Sequence, residues 1–486
     1  MGLERRVAVI GAGPSGLAAA RALDRAGLAF DGYEAHDDVG GLWDIDNPRS
    51  TVYESAHLIS SRTTTQFDEL PMDSGADYPS HRELLRYFRR YADVFGLRER
   101  YRFGTRVVAV EPAGGDATGR SGWVVRSQPT EPTEPGGSAA GEPVARTYSH
   151  VVIANGTLAE PNVPTFTGTF DGELLHSSAY KSADVFAGKR VLVVGGGNSG
   201  CDIAVDAVHR AASVDLSVRR GYWFVPRYLL GRPTDTLNQG RPLPARVKQA
   251  VDSRLLRLLN GDPRRFGFPE PDHKIYESHP VVNSLVLQHA GQGDLRVRPD
   301  LDRFEGRTVH FADGSSDEYD LVLLATGYRL DYPFLDPQHL AWAGPGSGTA
   351  PRLFCNIVPP TANGLFVVGM LEASGIGWQG RAEQAELVAR YLAAEAGGDG
   401  GDAAAAERAA RFRRRLTDPW PDLTGGYRYL GLERMSYYVN KDAYRRTVRR
   451  LAAELAPAPR GSDRHSAPDV APDATPAGPA AAERAA

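Results

Sequence analysis

The chain has 486 residues, with 56 lysines and arginines against 60 aspartates and glutamates, and a formal net charge of -4. That length provides for roughly two to four domains around a large core, and the near-balance of charge excludes a global field that would recruit nucleic acid or an anionic membrane. Its two cysteines, Cys201 and Cys355, lie far apart without CxxC spacing, which argues against a disulfide scaffold, a structural zinc site and a dithiol redox centre; no metal is expected, and a reducing cytoplasm is the expected compartment.

Strand-like VAVIGAG begins within the first ten residues, so no secretory leader is expected. Arg6 stands where a myristoylation signal needs Ser or Thr. No run of about eighteen apolar residues occurs, so no membrane span is expected.

From Arg5 to Glu34 the pattern is βαβ: RVAVI as a strand, the glycine turn GAGPSG, a helix ending at Gly27, and LAFDGYE as a second strand. In such a turn the backbone N–H groups and the positive end of a helix meet a pyrophosphate. Gly11, Gly13 and Gly16, with Pro14 and Ser15 between them, permit an approach that a Cβ would block. Glu34, at the tip of the second strand, is placed to hydrogen-bond the hydroxyls of an unphosphorylated ribose. In the following DDVGGLWDIDN, Gly40 and Gly41 allow a flat cofactor close to the backbone, and Leu42 and Trp43 follow, the Trp as an apolar wall. The same residues also read as a plain turn with a buried Trp.

The segment HRELLRYFRRYADVFGL predicts an amphipathic scaffold helix with Leu84, Leu85, Phe88, Tyr91 and Phe95 on one face. Alternation in RFGTRVVAVEP and SGWVVRSQ predicts a β-hairpin layer, interrupted by PTEPTEPGGSAAGEP, a solvated loop by composition. SHVVIANG is a further buried strand.

A second βαβ begins at KRVLVVGGGNSG, whose turn comprises Gly195, Gly197, Asn198, Ser199 and Gly200, and runs to VDLSVRRG. Two glycine turns in strand-to-helix context point to two dinucleotides. The second strand ends in Arg219 and Arg220 in place of a carboxylate, and guanidinium groups suit a 2′-phosphate, so the second nucleotide is read as NADPH; an exposed basic turn is the alternative. The region from Tyr222 to Val282 interleaves aromatics and prolines, and reads equally as a substrate-channel wall or as packing between domains. The strand DLVLLATGY is expected to lead back to the first domain. GLFVVGMLEASGIG, the helix RAEQAELVARYLAAEA and a helical stretch to about Leu455 follow, then an alanine- and proline-rich tail expected to be disordered.

These residues resemble the flavin-containing monooxygenase family over roughly the first 455 positions. The family fingerprint FxGxxxHxxxY stands as Phe170, Gly172, His176 and Tyr180, and its ATGY motif as Ala325, Thr326, Gly327 and Tyr328. Tyr180 occupies a position where the related Baeyer–Villiger enzymes carry Trp, which favours N- or S-oxygenation. The resemblance implies an α/β fold of two Rossmann-like dinucleotide-binding domains. A three-layer FAD domain is formed by residues 1–165 and 325–455, an NADPH domain with a substrate-channel segment is inserted at 166–324, and 456–486 is the tail. It implies FAD and NADPH as cofactors, with a small-molecule nucleophile and O2 as partners. Oligomeric state is not legible, a homodimer being one expectation.

The implied chemistry is hydride transfer from NADPH to FAD, formation of a C4a-hydroperoxyflavin, and transfer of one oxygen to nitrogen or sulfur. Ketone oxygenation, an uncoupled NADPH oxidase and a non-catalytic flavin redox sensor are the alternatives. By resemblance, Asn198 lies near the nicotinamide and the flavin, Ser61 stands where the family places an Asn that helps hold the oxygenated flavin, and the fingerprint couples the two nucleotide domains. The helix beginning near Gly380 to Gln384 is expected to aim its positive end at the flavin pyrimidine, with Gln384 at the ring.

Overall fold

The computed structural model describes residues 5–115, 118–119, 121–130, 142–238 and 243–457. The expected solvated loop falls largely on 131–141 and the expected tail on 458–486, outside the described residues.

The first glycine turn leaves the central strand of a five-stranded sheet. Its order is Leu365–Val367, His150–Ile153, Val7–Ile10, Phe30–Tyr33, Tyr101–Arg102, all in parallel register. Every residue of Val7–Ile10 is buried, as expected for a parallel strand covered on both faces. The helix Pro14–Arg25 follows, with Ala18, Ala19, Ala20 and Ala22 buried. Small side chains let it lie close against the long helix Gln379–Asp399. A Cβ on Gly16 would stand 1.8 Å from the Gly11 carbonyl oxygen, so this turn closes only with glycine there.

The second sheet repeats the plan: Arg296–Arg298, Ser213–Ser217, Arg190–Val194, Leu321–Leu324, Glu173–His176, again parallel. The repetition extends to atoms. A Cβ on Gly11 would meet the Ala154 carbonyl oxygen at 2.5 Å, and one on Gly195 would meet that of Ala325 at 2.5 Å. ANG after one strand and ATG after another therefore occupy equivalent places beside the two glycine turns.

The strand DLVLL is the last of the insertion: Leu321–Leu324 lies in the second sheet, between Arg190–Val194 and Glu173–His176. Its four residues are all buried, so burial placed it beside the equally apolar central strand. The crossing back comes just after, where Tyr328–Arg329 pairs antiparallel with Glu160–Pro161. The outgoing and returning connections thus run side by side.

The expected hairpin layer is present as Thr105–Pro112 and Trp123–Pro129, extended by Val144–Tyr148 into three antiparallel strands. A second small antiparallel sheet, Leu301–Glu305, Thr308–Phe311 and Ser316–Glu318, lies within the inserted segment. So does the helix Ala245–Asn260, whose Val247, Val251, Leu255, Leu258 and Leu259 are exposed. The scaffold helix His81–Val94 buries Leu84, Tyr87, Phe88, Tyr91 and Ala92, while Leu85 and Phe95 are only half-buried. No helix among the described residues is long and apolar enough to cross a membrane.

Candidate active site

A cavity of about 1140 Å³ runs between the two glycine-turn sheets and the C-terminal segment. That exceeds the roughly 300–1,000 Å³ of an ordinary small-molecule site. Its wall includes Gly195, Gly196, Gly197, Asn198 and Ser199 of the second turn, Arg219 and Arg220, all four residues of Ala325–Tyr328, and Leu42 and Trp43. Residues far apart in sequence thus converge on one space.

The second turn fits a phosphorylated dinucleotide. A Cβ on Gly197 would meet nothing within 4 Å, so the backbone there is open to a ligand, and Asn198 begins the helix Asn198–Val208, whose positive end lies at the same place. Arg220 donates from Nη2 to Asp272 at 3.3 Å, while its Nη1 is buried without a hydrogen-bond partner. Among the described residues Arg219 forms no ion pair. A buried donor without an acceptor is costly unless something supplies one, and a phosphate is chemically suited to do so. Gly200 is fixed by geometry, since its Cβ would stand 1.8 Å from the Gly195 carbonyl oxygen.

The first turn packs behind this space and does not line it. Gly40 N–H donates to the Ala12 carbonyl at 3.1 Å, and a Cβ on Gly41 would stand 3.0 Å from the Gly13 Cα. Pro14 occupies the first turn of its helix and Ser15 is buried against Gly369. Glu34 is buried, accepting from Ala12 N–H at 2.6 Å and from His36 N–H at 2.9 Å. Burial pushes its pKa up and these two donors oppose the shift. A carboxylate so placed at the tip of Phe30–Tyr33 keeps lone pairs for ribose hydroxyls.

A further stretch of the cavity wall is formed by Trp43, by the loop Leu371–Trp378, by Ser278 and His279 from the insertion, and by Leu432–Met435, Tyr437 and Lys441. Trp43 meets Trp378 edge-on at 6.1 Å. His279 Nδ1 lies 2.9 Å from the Tyr438 hydroxyl, which is 2.9 Å from Ser374 Oγ. Burial, and then Arg434, push the His279 pKa down to about 4, so the imidazole is neutral at ordinary pH. Arg434 donates to Glu372 at 3.2 Å, and Arg381 donates to the carbonyls of Gly377 at 2.8 Å and Leu371 at 3.1 Å.

Residues 4–394 match the flavin-binding monooxygenase-like family. The chain belongs to this family. It is 34% identical over 349 residues to flavin-containing monooxygenase 5 of Oryctolagus cuniculus, covering 68% of this chain and 63% of that protein. It is 31% identical over 355 residues to flavin-containing monooxygenase 2 of Homo sapiens, covering 69% and 63%. The matched stretch is therefore less than two thirds of those relatives' length. Among solved structures, a cyclohexanone monooxygenase shares the fold with a TM-score of 0.63 at 18% identity, covering 93% of this chain and 98% of that one. The S-allyl-L-cysteine S-oxygenase of Allium sativum does so with 0.59 at 19%, covering 92% and 88%.

Within this flavin-binding monooxygenase-like chain, the family fingerprint and the ATGY motif touch. His176 Nε2 lies 3.1 Å from the Gly327 carbonyl, and its ring meets Tyr328 edge-on at 5.5 Å. Tyr180 is buried, donates to Asp206 at 2.9 Å and packs on Tyr53 of the first unit at 5.2 Å. Lys181 Nζ donates to the carbonyls of Ser50 and Val52. These contacts tie the inserted unit to the first one.

Three expected site residues sit differently. Ser61 does not line the cavity; its N–H and hydroxyl both go to Asp235 Oδ2, at 2.7 and 3.0 Å, and Thr64 donates to the same oxygen. It begins the short helix Arg62–Thr65, and that helix start turns it away, so Ile59 and Ser60 reach the wall instead. Gln384 is fully buried, accepting from Gly369 N–H at 2.8 Å and donating to the Tyr444 hydroxyl at 2.7 Å. It lies in the second turn of its helix, facing the core, so both its polar atoms are spent inside the protein. Asn198 lines the cavity, yet its amide clamps the insertion, donating to the Pro280 carbonyl at 3.1 Å and accepting from Val282 N–H at 2.8 Å. Sequence reasoning missed Arg381, Arg434 and Lys441, and reached His279 only within the Tyr222–Val282 segment read as channel wall or domain packing. Of the three missed, Arg381 carried a signal, as the cation directly after the glycine loop SGIGWQG.

Proposed function

We propose that this chain is a monooxygenase that transfers one atom of O2 to a nucleophilic nitrogen or sulfur of a small molecule. Its cofactors are FAD and NADPH. The observation that carries the reading is the single cavity in which the second glycine turn and its arginines share walls with Trp43 and the loop Leu371–Trp378. A reductant held at one end and a flavin ring at the other would meet there without open solvent between them.

Bound FAD, once reduced, supplies the activation of O2. The chain's part is to bind, orient and exclude water. In this reading residues 166–324 hold the reductant, with Arg219 and Arg220 on its 2′-phosphate. Glu34 holds the flavin's adenosine ribose, Gly41, Leu42 and Trp43 border its ring system, and Asn198 fixes the Pro280–Val282 wall beside the ring. Tyr180, in the place where Baeyer–Villiger relatives carry Trp, favours heteroatom over ketone substrates.

The test is a panel of thioethers, tertiary amines and ketones, with product counted against NADPH consumed. Sulfoxide or N-oxide at close to one per NADPH is the expected result. Lactone or ester from ketones alone would move the substrate class, and NADPH consumption yielding only hydrogen peroxide with every compound would reject oxygenation.

A further inference from the structure

The part of the cavity around the loop Leu371–Trp378 carries an unbalanced charge. Its walls at 371–381 and 432–441 bear three cations, Arg381, Arg434 and Lys441, and two carboxylates, Glu372 and Glu433. Arg434 and Glu372 pair at 3.2 Å, and the neighbouring Lys248 and Asp252 pair at 2.6 Å. Among the described residues neither Arg381 nor Lys441 forms an ion pair. Arg381 gives one N–H of each Nη to a backbone carbonyl and keeps three donors, and burial holds its pKa below the usual arginine value against the opposing charge of Glu372. The neutral His279 adds no charge.

Both cations flank one loop. Arg381 bonds the Gly377 carbonyl, and Lys441 Cδ lies 3.9 Å from where a Gly375 Cβ would be. Both also stand in the first turn of a helix, Gln379–Asp399 and Lys441–Leu455 respectively. That is the end at which a positive side chain opposes the helix dipole. Arg381 shares the field of Glu372 with Arg434, so these walls keep one positive charge in excess. Two cations placed against their helices, on a cavity wall and without an ion-paired carboxylate, are explained by a ligand that brings a further anion.

We propose that the Gly375–Gly377 loop is an anion seat, in which Arg381 and Lys441 hold a carboxylate of the substrate. This rests on the reading of the cavity as an oxygenation site and narrows its substrates to acids that carry a thioether or amine some atoms away. The substrate's charged end docks on the loop and its reacting atom is thereby oriented toward the flavin ring.

The test uses the FAD-loaded protein and two probes of nearly equal shape, 3-(methylthio)propanoate and its methyl ester, with dissociation constants from titration calorimetry. The acid is expected to bind at least tenfold tighter than the ester. In Lys441→Met the ratio is expected to fall toward one, and Lys441→Arg is expected to restore it. Equal affinities, or no binding of either probe, overturn the seat. A Lys441→Met protein that keeps its acid preference but shifts the midpoint potential of its bound flavin also overturns it, because the charge then serves the ring. If the acid preference stands and neither probe is oxygenated, the proposed function fails while the seat survives.

Discussion

Gly197 and Gly200 lie three residues apart in the same turn and answer to different demands. The Cβ of an alanine at 200 would overlap the Gly195 carbonyl oxygen at 1.8 Å, whereas at 197 it would meet nothing within 4 Å, and the backbone there needs no left-handed conformation. Gly200→Ala is therefore expected to cost about 2–3 kcal/mol of stability through overpacking. Gly197→Ala is expected to melt as the parent does while weakening NADPH about tenfold, the loss of roughly one backbone contact. Thermal melts and NADPH titration of the two variants separate these effects. Gln384→Leu belongs with the first kind. It strands the buried Gly369 N–H and removes the Tyr444 contact, so stability, read from a lower urea midpoint at unchanged slope, should fall by about 2 kcal/mol, while NADPH reduces the loaded flavin at the parental rate. A slowed reduction with unchanged stability would put Gln384 back at the ring. Glycines were legible in the sequence because their chemistry is local, a turn and an approach. Gln384 and Ser61 were not, because which way a polar side chain turns depends on partners more than a dozen residues away, Tyr444 for one and Asp235 for the other.

At the scale of elements, the helix His81–Val94 shows how much a local pattern can carry. Its start is a capping box in which Glu83 accepts from Ser80 N–H at 2.9 Å and the Ser80 side chain serves the third helical N–H. Ser80→Ala is expected to lower stability by about 1 kcal/mol, read as a shift in urea midpoint with an unchanged slope. A double variant with Glu83→Ala should cost less than the sum of the two single changes, since they break one motif. The periodicity of this helix, both βαβ starts and the hairpin layer were readable because each is written in consecutive residues. The neighbours of Leu321–Leu324 within the insertion's sheet were not. Its four buried residues say only that it is interior to a sheet. In the helix Ala245–Asn260, Val247, Val251, Leu255 and Leu258 do recur at helical spacing, but they are exposed, so the pattern that marks the helix does not say what it packs against.

The whole molecule holds its cavity closed by contacts between parts that the sequence separates widely. His279, in the insertion, meets Tyr438, in a segment beyond residue 394 where the family match ends. This contact has a pH signature with a definite sign. The His279 pKa is about 4 in the folded protein against 6.5 for the free side chain. As pH falls below 6.5 the unfolded chain takes up the proton while the folded protein refuses it, so stability is complete above that value and drains away down to about 4. The full contribution is about 3 kcal/mol. Burial pushes His81, His176 and His339 in the same direction, so the parent slope alone does not isolate one residue. His279→Gln does, since an amide keeps a hydrogen bond to Tyr438 and cannot titrate. Urea midpoints measured from pH 7 to 5 should fall less steeply in the variant than in the parent. The window stays above the carboxylate Glu372, whose pKa is held below its free value of 4.5 chiefly by Arg434 against the opposing effect of burial, so its loss begins at lower pH. Parallel slopes in the two proteins would mean that His279 is not enclosed as described, and that the insertion and the C-terminal segment do not meet over the cavity.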